Sequence, residues 1–317
     1  MVSVVIPNWN GESTIRECLD SLQKQSFRDF EVIVVDNGSV DRSAAIIQSE
    51  YPKIRLVALR ENAGFTGGCN LGISKSRGDL IALFNNDMIA APDWLEQLVL
   101  ASRRNSSVSM FASKIFWKEG EGKLFSAGDI LLKSGKSEGR GHNEKDSEAY
   151  GREEEVFGPC AGAALYRRSF FENVGYFDED FFAYIEDTDL SLRGQLKNHR
   201  CLYVSSAVTY HYGMHSLKTQ SDLRVGYCLR NYFYFLIKNY PSGLFVENFR
   251  DIAKTMGREI RFAFSHFRCT AGFVYASRRM SCLFCTVLIK MPSMFRKRRQ
   301  IQGSMRIPPA AIRCLMR

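Results

Sequence analysis

The feature that most restricts this chain is the alternation of strand and helix signals in its first 110 residues. Val2–Ile6, Glu31–Val35, Ile54–Leu59 and Leu80–Phe84 are short, mostly apolar runs without regular polar alternation. Between them Gly11–Gln25 carries Ile15, Leu19 and Leu22 at helical spacing, and Val40–Glu50 and Thr66–Ser76 also read as helices. Strands apolar on both faces and separated by amphipathic helices predict a parallel sheet covered on both sides. Its βαβ connections are then right-handed, and ligands bind beyond the carboxyl ends of its strands.

Each strand runs into a polar cluster on that side. The first meets Pro7-Asn8-Trp9-Asn10-Gly11 and the second Asp36-Asn37-Gly38-Ser39. The third meets Arg60-Glu61-Asn62-Ala63-Gly64 and the fourth Asn85-Asn86-Asp87. Taken singly, each is ordinary turn chemistry; four on one edge of one sheet mark a binding edge. From Val108 to Glu155 the pattern weakens; Lys118–Gly122 and Lys133–Glu155, rich in Gly, Ser and charge, are expected as loops or short antiparallel strands over the sheet. The Gly/Ala-rich run within Phe157–Tyr166 predicts close backbone approach. Beyond Asp222 helix is expected almost throughout, interrupted at Pro241 and then at Pro292.

Three places carry chemistry. Asp87, at a rigid strand end, either binds a hard divalent cation that also holds phosphate or closes an Asx turn before Pro92. Glu186-Asp187-Thr188-Asp189 lies beside Tyr176, Phe177, Phe181, Phe182 and Tyr184. Its acids either complement a helix dipole or, in apolar surroundings, include a carboxylate poised as a general base. His211, in Thr209-Tyr210-His211-Tyr212, is either a structural residue among aromatics or a metal ligand; His215 and Ser216 follow closely enough to reach the same place.

Charge divides the chain. Lys218 to Arg317 holds 19 Lys and Arg against 4 Asp and Glu, a balance of +15, whereas the preceding residues hold 24 against 30, a balance of −6. Lys254, Arg258, Arg261 and Arg268 share one helical sector beside an apolar stripe of Ile260, Phe264, Phe267 and Ala271. Met280–Ile289 and Arg296-Lys297-Arg298-Arg299 follow. Such basic amphipathic helices either lie on an anionic membrane or form a subdomain that packs on the preceding domain or in a dimer, its charges solvated. The chain opens on a strand without a signal-type leader, and no window reaches the roughly 20 apolar residues of a bilayer span. The nine cysteines are scattered, with one CxxC at Cys282/Cys285, and are expected as reduced, mostly buried thiols rather than a zinc site.

The sequence resembles family 2 glycosyltransferases of the GT-A fold. The resemblance rests on VVIPNWNG, VVDNGS-x-D, EN-x-GF-x-GG-x-N-x-G and LFNND in that order. GYFDEDFFAYIEDTDLSLR followed by TYHY is similar to the rhamnosyltransferase-like branch that builds bacterial surface polysaccharides. The match spans about residues 2 to 240. It implies an α/β fold, a mixed, mostly parallel Rossmann-like sheet flanked by helices, with a C-terminal helical region. The catalytic domain would cover residues 1–220, its donor half 1–110 and acceptor half 111–220, with a basic amphipathic helical region over 221–317.

The resemblance also implies roles. Asp36 would read the nucleotide base; Pro7, Asn8 and Asn10 would line base and ribose; Asn62, Gly64 and Asn70 would approach ribose and diphosphate. The metal motif maps onto Asn85-Asn86-Asp87, where Asn86 joins the donor-binding set. Asn85 leaves Asp87 as its one carboxylate, so Mg²⁺ or Mn²⁺ would lean on Asp87, His211 and the diphosphate. Asp187 would be the catalytic base, with Glu186 and Gly162 on the acceptor side. The function implied is inverting, metal-dependent transfer of a sugar, rhamnose among the candidates, from a dTDP- or UDP-sugar to a hydroxyl of a glycan or lipid-linked acceptor. The expected place is the cytoplasm, peripheral on the inner face of the membrane, with no nucleic-acid partner and a homodimer left open. A sugar-1-phosphate nucleotidyltransferase would want a basic triphosphate loop after the first strand, and Pro7–Gly11 has no basic residue. A nucleic-acid-binding protein would account for the basic tail but not for the strand-end clusters.

Overall fold

The structure, a computed structural model, describes residues 1–213, 221–313 and 316. His215 and Ser216 lie outside the described residues. The chain begins β1 (Val2–Asn8), α1 (Ile15–Gln23), β2 (Phe30–Asp36), α2 (Ser43–Glu50), β3 (Arg55–Ala58), α3 (Gly64–Lys75) and β4 (Leu80–Phe84). These match the expected elements to within a few residues. There follow β5 (Met88–Ala90), α4 (Trp94–Arg104), β6 (Val108–Trp117), β7 (Leu124–Ala127), β8 (Asp129–Leu131), β9 (Ser137–Gly139), β10 (Glu154–Val156) and β11 (Ala163–Arg167). Then come α5 (Arg168–Val174), α6 (Glu186–Leu196) and β12 (Arg200–His211). Four helices close the chain: α7 (Ser221–Lys238), α8 (Ser242–Glu247), α9 (Phe249–Gly303) and α10 (Pro309–Ile312).

The main sheet runs β10-β12-β6-β11-β4-β1-β2-β3, with β5 on β12 and β7 on β6. β1 pairs in parallel with both β2 and β4, so the order reverses beside β1 and the loops after β1 and β4 part to open a crevice. β11 runs antiparallel to β4 and β6, which makes the sheet mixed. The core strands Val4, Ile6, Val34, Ala82 and Phe84 pack with Ile15, Leu19 and Leu22 of α1 on one face, and Val5, Leu83 and Met110 with Ile73 of α3 on the other. Burial on both faces is what the unbroken apolar runs require.

Where the sequence pattern weakens, Val108–Trp117 is a strand inside the sheet. Its polar residues mask the pattern: Ser113 accepts from Trp94 Nε1 at 2.8 Å, and Lys114 pairs with Asp146 at 2.8 Å, so both are buried with partners. The break in the C-terminal helix falls at Ala271-Gly272, not at Pro292, which lies inside α9. Gly272 takes φ +85°, a region open to glycine at little steric cost. Finally, α9 is by length and composition long and apolar enough to cross a membrane, with a mean hydropathy of 1.2 over 18 residues, of which 22% are buried. It is apolar on two sides. Ala276, Met280, Leu283, Val287 and Met294 pack inward in one cluster with Leu229, Tyr232 and Phe235 of α7, while Val274, Leu288, Ile289 and Phe295 are exposed. Of the described cysteines, Cys18, Cys69 and Cys201 are buried, whereas Cys282 and Cys285 are exposed.

Candidate active site

A cavity of about 680 Å³ opens at the carboxyl ends of β1 and β4. Pro7, Asn8, Asn62, Gly64, Asn86, Asp87, Gly162, Glu186, Asp187 and His211 all line it, so ten of the residues named from sequence meet in one place. The fold brings them together by register. β12 pairs with β5 so that His211 stands opposite Met88, and the Tyr212 amide donates to the Asp87 carbonyl at 3.1 Å. His211 Nε2 then lies 3.2 Å from Asp87 Oδ2. Trp117 stacks on the imidazole at a centroid separation of 5.8 Å and Phe125 meets it edge-on at 4.6 Å.

Three expected residues do not line the cavity. Asp36 is buried beneath it, accepting from Asn8 Nδ2 at 3.0 Å and from the Ser39 amide at 3.3 Å. Asn10, at φ +51°, ties the first loop to the second by accepting from the Val40 amide at 2.9 Å. Asn70 faces Phe177 and Glu179: its Nδ2 donates to the Phe177 carbonyl and to Glu179 Oε1, each at 3.0 Å. Asn8 also receives Asn86 Nδ2 on its Oδ1 at 2.8 Å. A side chain at Gly11 would collide with both of those asparagines, which is why the first cluster ends in glycine.

The acid cluster sits at the start of α6. Burial raises the Asp187 carboxyl above its ordinary range, opposed by the backbone amides of Thr188 and Ala161. Its Oδ1 accepts from the Thr188 amide at 2.7 Å. Glu186 is pushed well up by burial and then by the neighbouring Asp187 charge. Asp129 of β8, buried and accepting from Ser126 Oγ at 3.1 Å, is also raised by burial and by Asp187. Sequence reading missed Asp129, Trp117 and Phe125, because each is placed by pairing between distant strands. Asp189 also stands in the first turn of α6, and it is wholly buried and bound by Arg193 at 2.9 Å, Asn239 at 2.5 Å and Lys238 at 2.5 Å.

The segment leading into these acids is strained. Phe182, Tyr184 and Ile185 have φ of +65°, +71° and +68°, conformations that cost a non-glycine residue on the order of 1–3 kcal/mol each. The Phe182 carbonyl accepts from the Thr66 amide at 3.1 Å, and a Cβ at Gly64 would fall 2.4 Å from that oxygen. Gly64, at φ +76°, is therefore required both by its conformation and by this approach.

Three buried side-chain atoms of cavity-lining residues have no partner among the described residues: Asn85 Oδ1, Glu186 Oε2 and His211 Nδ1. Buried polar atoms are normally satisfied, so their convergence marks a ligand site. Among the described residues no cluster of three His, Cys, Asp or Glu is able to hold a metal. The Asp87–His211 pair does suit one that completes its shell elsewhere. One carboxylate oxygen and one imidazole nitrogen 3.2 Å apart can share a divalent ion, with water and phosphate filling the other positions.

Comparison with known proteins fits this geometry. The putative glycosyltransferase EpsH of Bacillus subtilis (strain 168) is 38% identical over 101 residues, 31% of this chain and 29% of that protein. The stretches matched in the curated relatives cover 13% to 42% of those proteins' own length. The fold resembles that of S. aureus TarS 1–349, with a TM-score of 0.58 at 16% identity over 96% of this chain and 83% of that one. It also resembles mannosyltransferase PcManGT from Pyrobaculum calidifontis, solved with GDP-Man and Mn²⁺, with a TM-score of 0.56 at 15% identity over 99% and 86%. These neighbours establish a GT-A-type fold, and the family description "Glycosyl transferase family 2" matches residues 3–175, more than half of the sequence. The chain belongs to glycosyl transferase family 2.

Proposed function

We propose that this glycosyltransferase moves a sugar from a nucleoside diphosphate donor to an acceptor hydroxyl with inversion, and that Asp187 takes the hydroxyl proton. The observation that carries the reading is one cavity lined by the Asp87–His211 pair and the half-buried acid Asp187 together, with three side-chain atoms of its lining unpartnered among the described residues. Burial makes Asp187 a stronger proton acceptor than a solvated aspartate. As the acceptor oxygen bonds to the anomeric carbon, its proton passes to Asp187 and the bond from that carbon to the diphosphate oxygen breaks. Attack opposite the leaving group, without a covalent enzyme intermediate, inverts the anomeric configuration.

On this reading Pro7, Asn8, Asn62, Gly64 and Asn86 face the donor, and Asp36 positions Asn8 behind the base. Asn10 and Asn70 act from outside the lining by fixing the loops on either side. Asp87 and His211 would hold Mg²⁺ or Mn²⁺, which when bound neutralises charge on the departing diphosphate. Gly162 and Glu186 form the acceptor side. The TarS fragment was solved with UDP-GlcNAc and PcManGT with GDP-Man, which supports a nucleotide-sugar donor here. Rhamnose on dTDP and the UDP-sugars stand first for trial.

The test is release of UDP, TDP or GDP from a donor panel with a lipid-linked glycan acceptor, run with Mn²⁺, with Mg²⁺ and with EDTA. Asp187→Asn should cut turnover by roughly 10²–10⁴ while donor affinity holds. Near-normal turnover in that variant removes Asp187 from the chemistry, and full activity in EDTA removes the metal.

We further place the enzyme on an anionic membrane surface through the outer side of α9. The inner side of that helix is already covered by α7, whereas Val274, Leu288, Ile289 and Phe295 face out beside exposed Arg278, Arg296 and Arg299. Co-sedimentation with phosphatidylglycerol vesicles should fall at least several-fold for Leu288→Ser/Ile289→Ser. Equal sedimentation of wild type and variant would refute the attachment.

A further inference from the structure

We propose that Asn231, on α7 and outside the reaction centre, is a positioning residue for Asp187. It does so by fixing the left-handed segment 182–185 that delivers the acid to the cavity. The inference rests on Asp187 being the base.

Asn231 is completely buried, and the two N–H groups of its Nδ2 are shared among three carbonyls, those of Phe181, Ala183 and Tyr184, each 2.8 Å away. Its Oδ1 accepts from Arg230 Nε at 3.0 Å, and Arg230 Nη2 donates to the carbonyls of Asp180 at 3.1 Å and Phe181 at 2.8 Å. Tyr227 and Tyr234 flank that guanidinium at 4.7 and 5.2 Å. One adjacent pair of side chains thus binds four successive or near-successive carbonyls, those of residues 180, 181, 183 and 184. They are the carbonyls of the segment where Phe182, Tyr184 and Ile185 hold positive φ. Strained conformations of this kind persist only when their surroundings over-determine them, and here the surroundings are Asn231 and Arg230. α6 begins with Glu186 directly after Ile185, so Asp187 inherits its place from this segment. The same segment reaches the donor side, since Thr66 at the start of α3 donates to the Phe182 carbonyl.

Asn231 and Arg230 are distant from the reaction in sequence and lie in the helical region that composition alone would assign to surface attachment. Their hydrogen bonds make that region part of the catalytic geometry.

The experiment compares wild type, Asn231→Ala, Asn231→Asp and Arg230→Met in steady-state transfer, in binding of UDP and dTDP with Mn²⁺, and in the pH profile of kcat/KM. Asn231→Ala frees three carbonyls, and Asn231→Asp sets a second acceptor against them. Both should lower kcat at least ~10-fold with nucleotide affinity changed less than ~3-fold. Relaxation of the segment also admits water beside Asp187, so the acid limb of the profile should move to lower pH. The groups facing Asp187 there are Glu186, Asp129, Cys160 and Tyr166, none of which is altered. Arg230→Met should give the same split in smaller measure and remains decisive if Asn231→Ala fails to fold. Unchanged kcat and acid limb, in variants of a protein that Asp187→Asn inactivates, would overturn the positioning role. An active Asp187→Asn protein would instead overturn the reading beneath it.

Discussion

Lys238→Met separates a structural from a decorative view of the basic C-terminal region. The Lys238 ammonium is 2% exposed and lies 2.6 Å from Asp178 Oδ2 and 2.5 Å from Asp189 Oδ1, the latter carboxyl fully buried. Burial alone would raise Asp189, but Lys238 and then Arg193 outweigh it and hold the acid below its usual range. Burial likewise opposes ionisation of Asp178, which Lys238 and Lys297 hold well below the usual carboxylate range. Methionine keeps the length and most of the volume of lysine, so the change removes the charge and leaves packing largely intact. One partner taken from a buried pair costs about 3–5 kcal/mol when the remaining charge is left alone, and Arg193 on Asp189 with Lys297 on Asp178 holds the loss to the lower end of that range. Lys297→Met is the control. Its side chain is 31% exposed, and Asp178 and Asp180 keep Lys238 and Lys290 as partners, so it should cost about 1 kcal/mol or less. Urea unfolding at neutral pH, extrapolated linearly, reads both. The depressed carboxylates also fix a sign. Their stabilisation is present above the unfolded aspartate value of about 3.9 and is lost as pH falls toward the depressed folded values. The gap between wild type and Lys238→Met should therefore narrow below about pH 4. A loss under about 1 kcal/mol, or an equal loss in Lys297→Met, would refute the reasoning.

Two further outcomes follow from the acids of the cavity. Glu186 is held well above its ordinary value by burial and the Asp187 charge, so the folded state loses stability as pH rises from about 4.3 through the raised value. Glu186→Gln should thus unfold at higher temperature than wild type at pH 8, with a gain that shrinks toward pH 5; a variant less stable at both pH values would contradict this. The transfer reaction should show an acid limb above the ordinary aspartate value of about 3.9, because Asp187 is raised by burial and, as the proposed base, must be ionised. A kcat/KM profile flat down to about pH 4.5 would contradict it.

The first 110 residues were legible because their information is local. A strand end, a turn and a helix start are read within a dozen residues, and four such clusters place Asn8, Asn37, Asn62 and Asn86 at one rim. Sequence spacing left the role of each residue open, and it could not separate lining residues from supports. Asp36 and Asn70 belong to the same motifs as the lining residues, yet one is buried under Asn8 and the other faces Phe177 and Glu179. Asp129 was hidden for a different reason. It lies in a Gly- and Ser-rich stretch with weak periodicity, and it becomes an acid beside Asp187 only through the antiparallel pairing of β8 with β9 and the bridge to Gly158.

The C-terminal helices show why charge composition misleads about location. From Lys218 onward the balance is +15, and an excess of that size invites the picture of a solvated basic tail. Three of its lysines pair with acids that precede the region: Lys238 with Asp178 and Asp189, Lys290 with Asp180, and Lys297 with Asp178 and Asp180. Their acidic partners stand in the FDEDF stretch and the first turn of α6, so the two halves of opposite charge are bound to each other. The run Arg296–Arg299 splits accordingly. Lys297 and Arg298 point to protein, Arg298 donating to the Ile237 carbonyl at 2.9 Å and Ser242 Oγ at 2.8 Å; Arg296 and Arg299 are exposed. Helical period explains the division, because neighbours about 100° apart cannot all face one way. A deletion of this region would therefore disturb the proposed attachment and the proposed positioning of Asp187 together, and only substitutions on the outer face of α9 can separate the two.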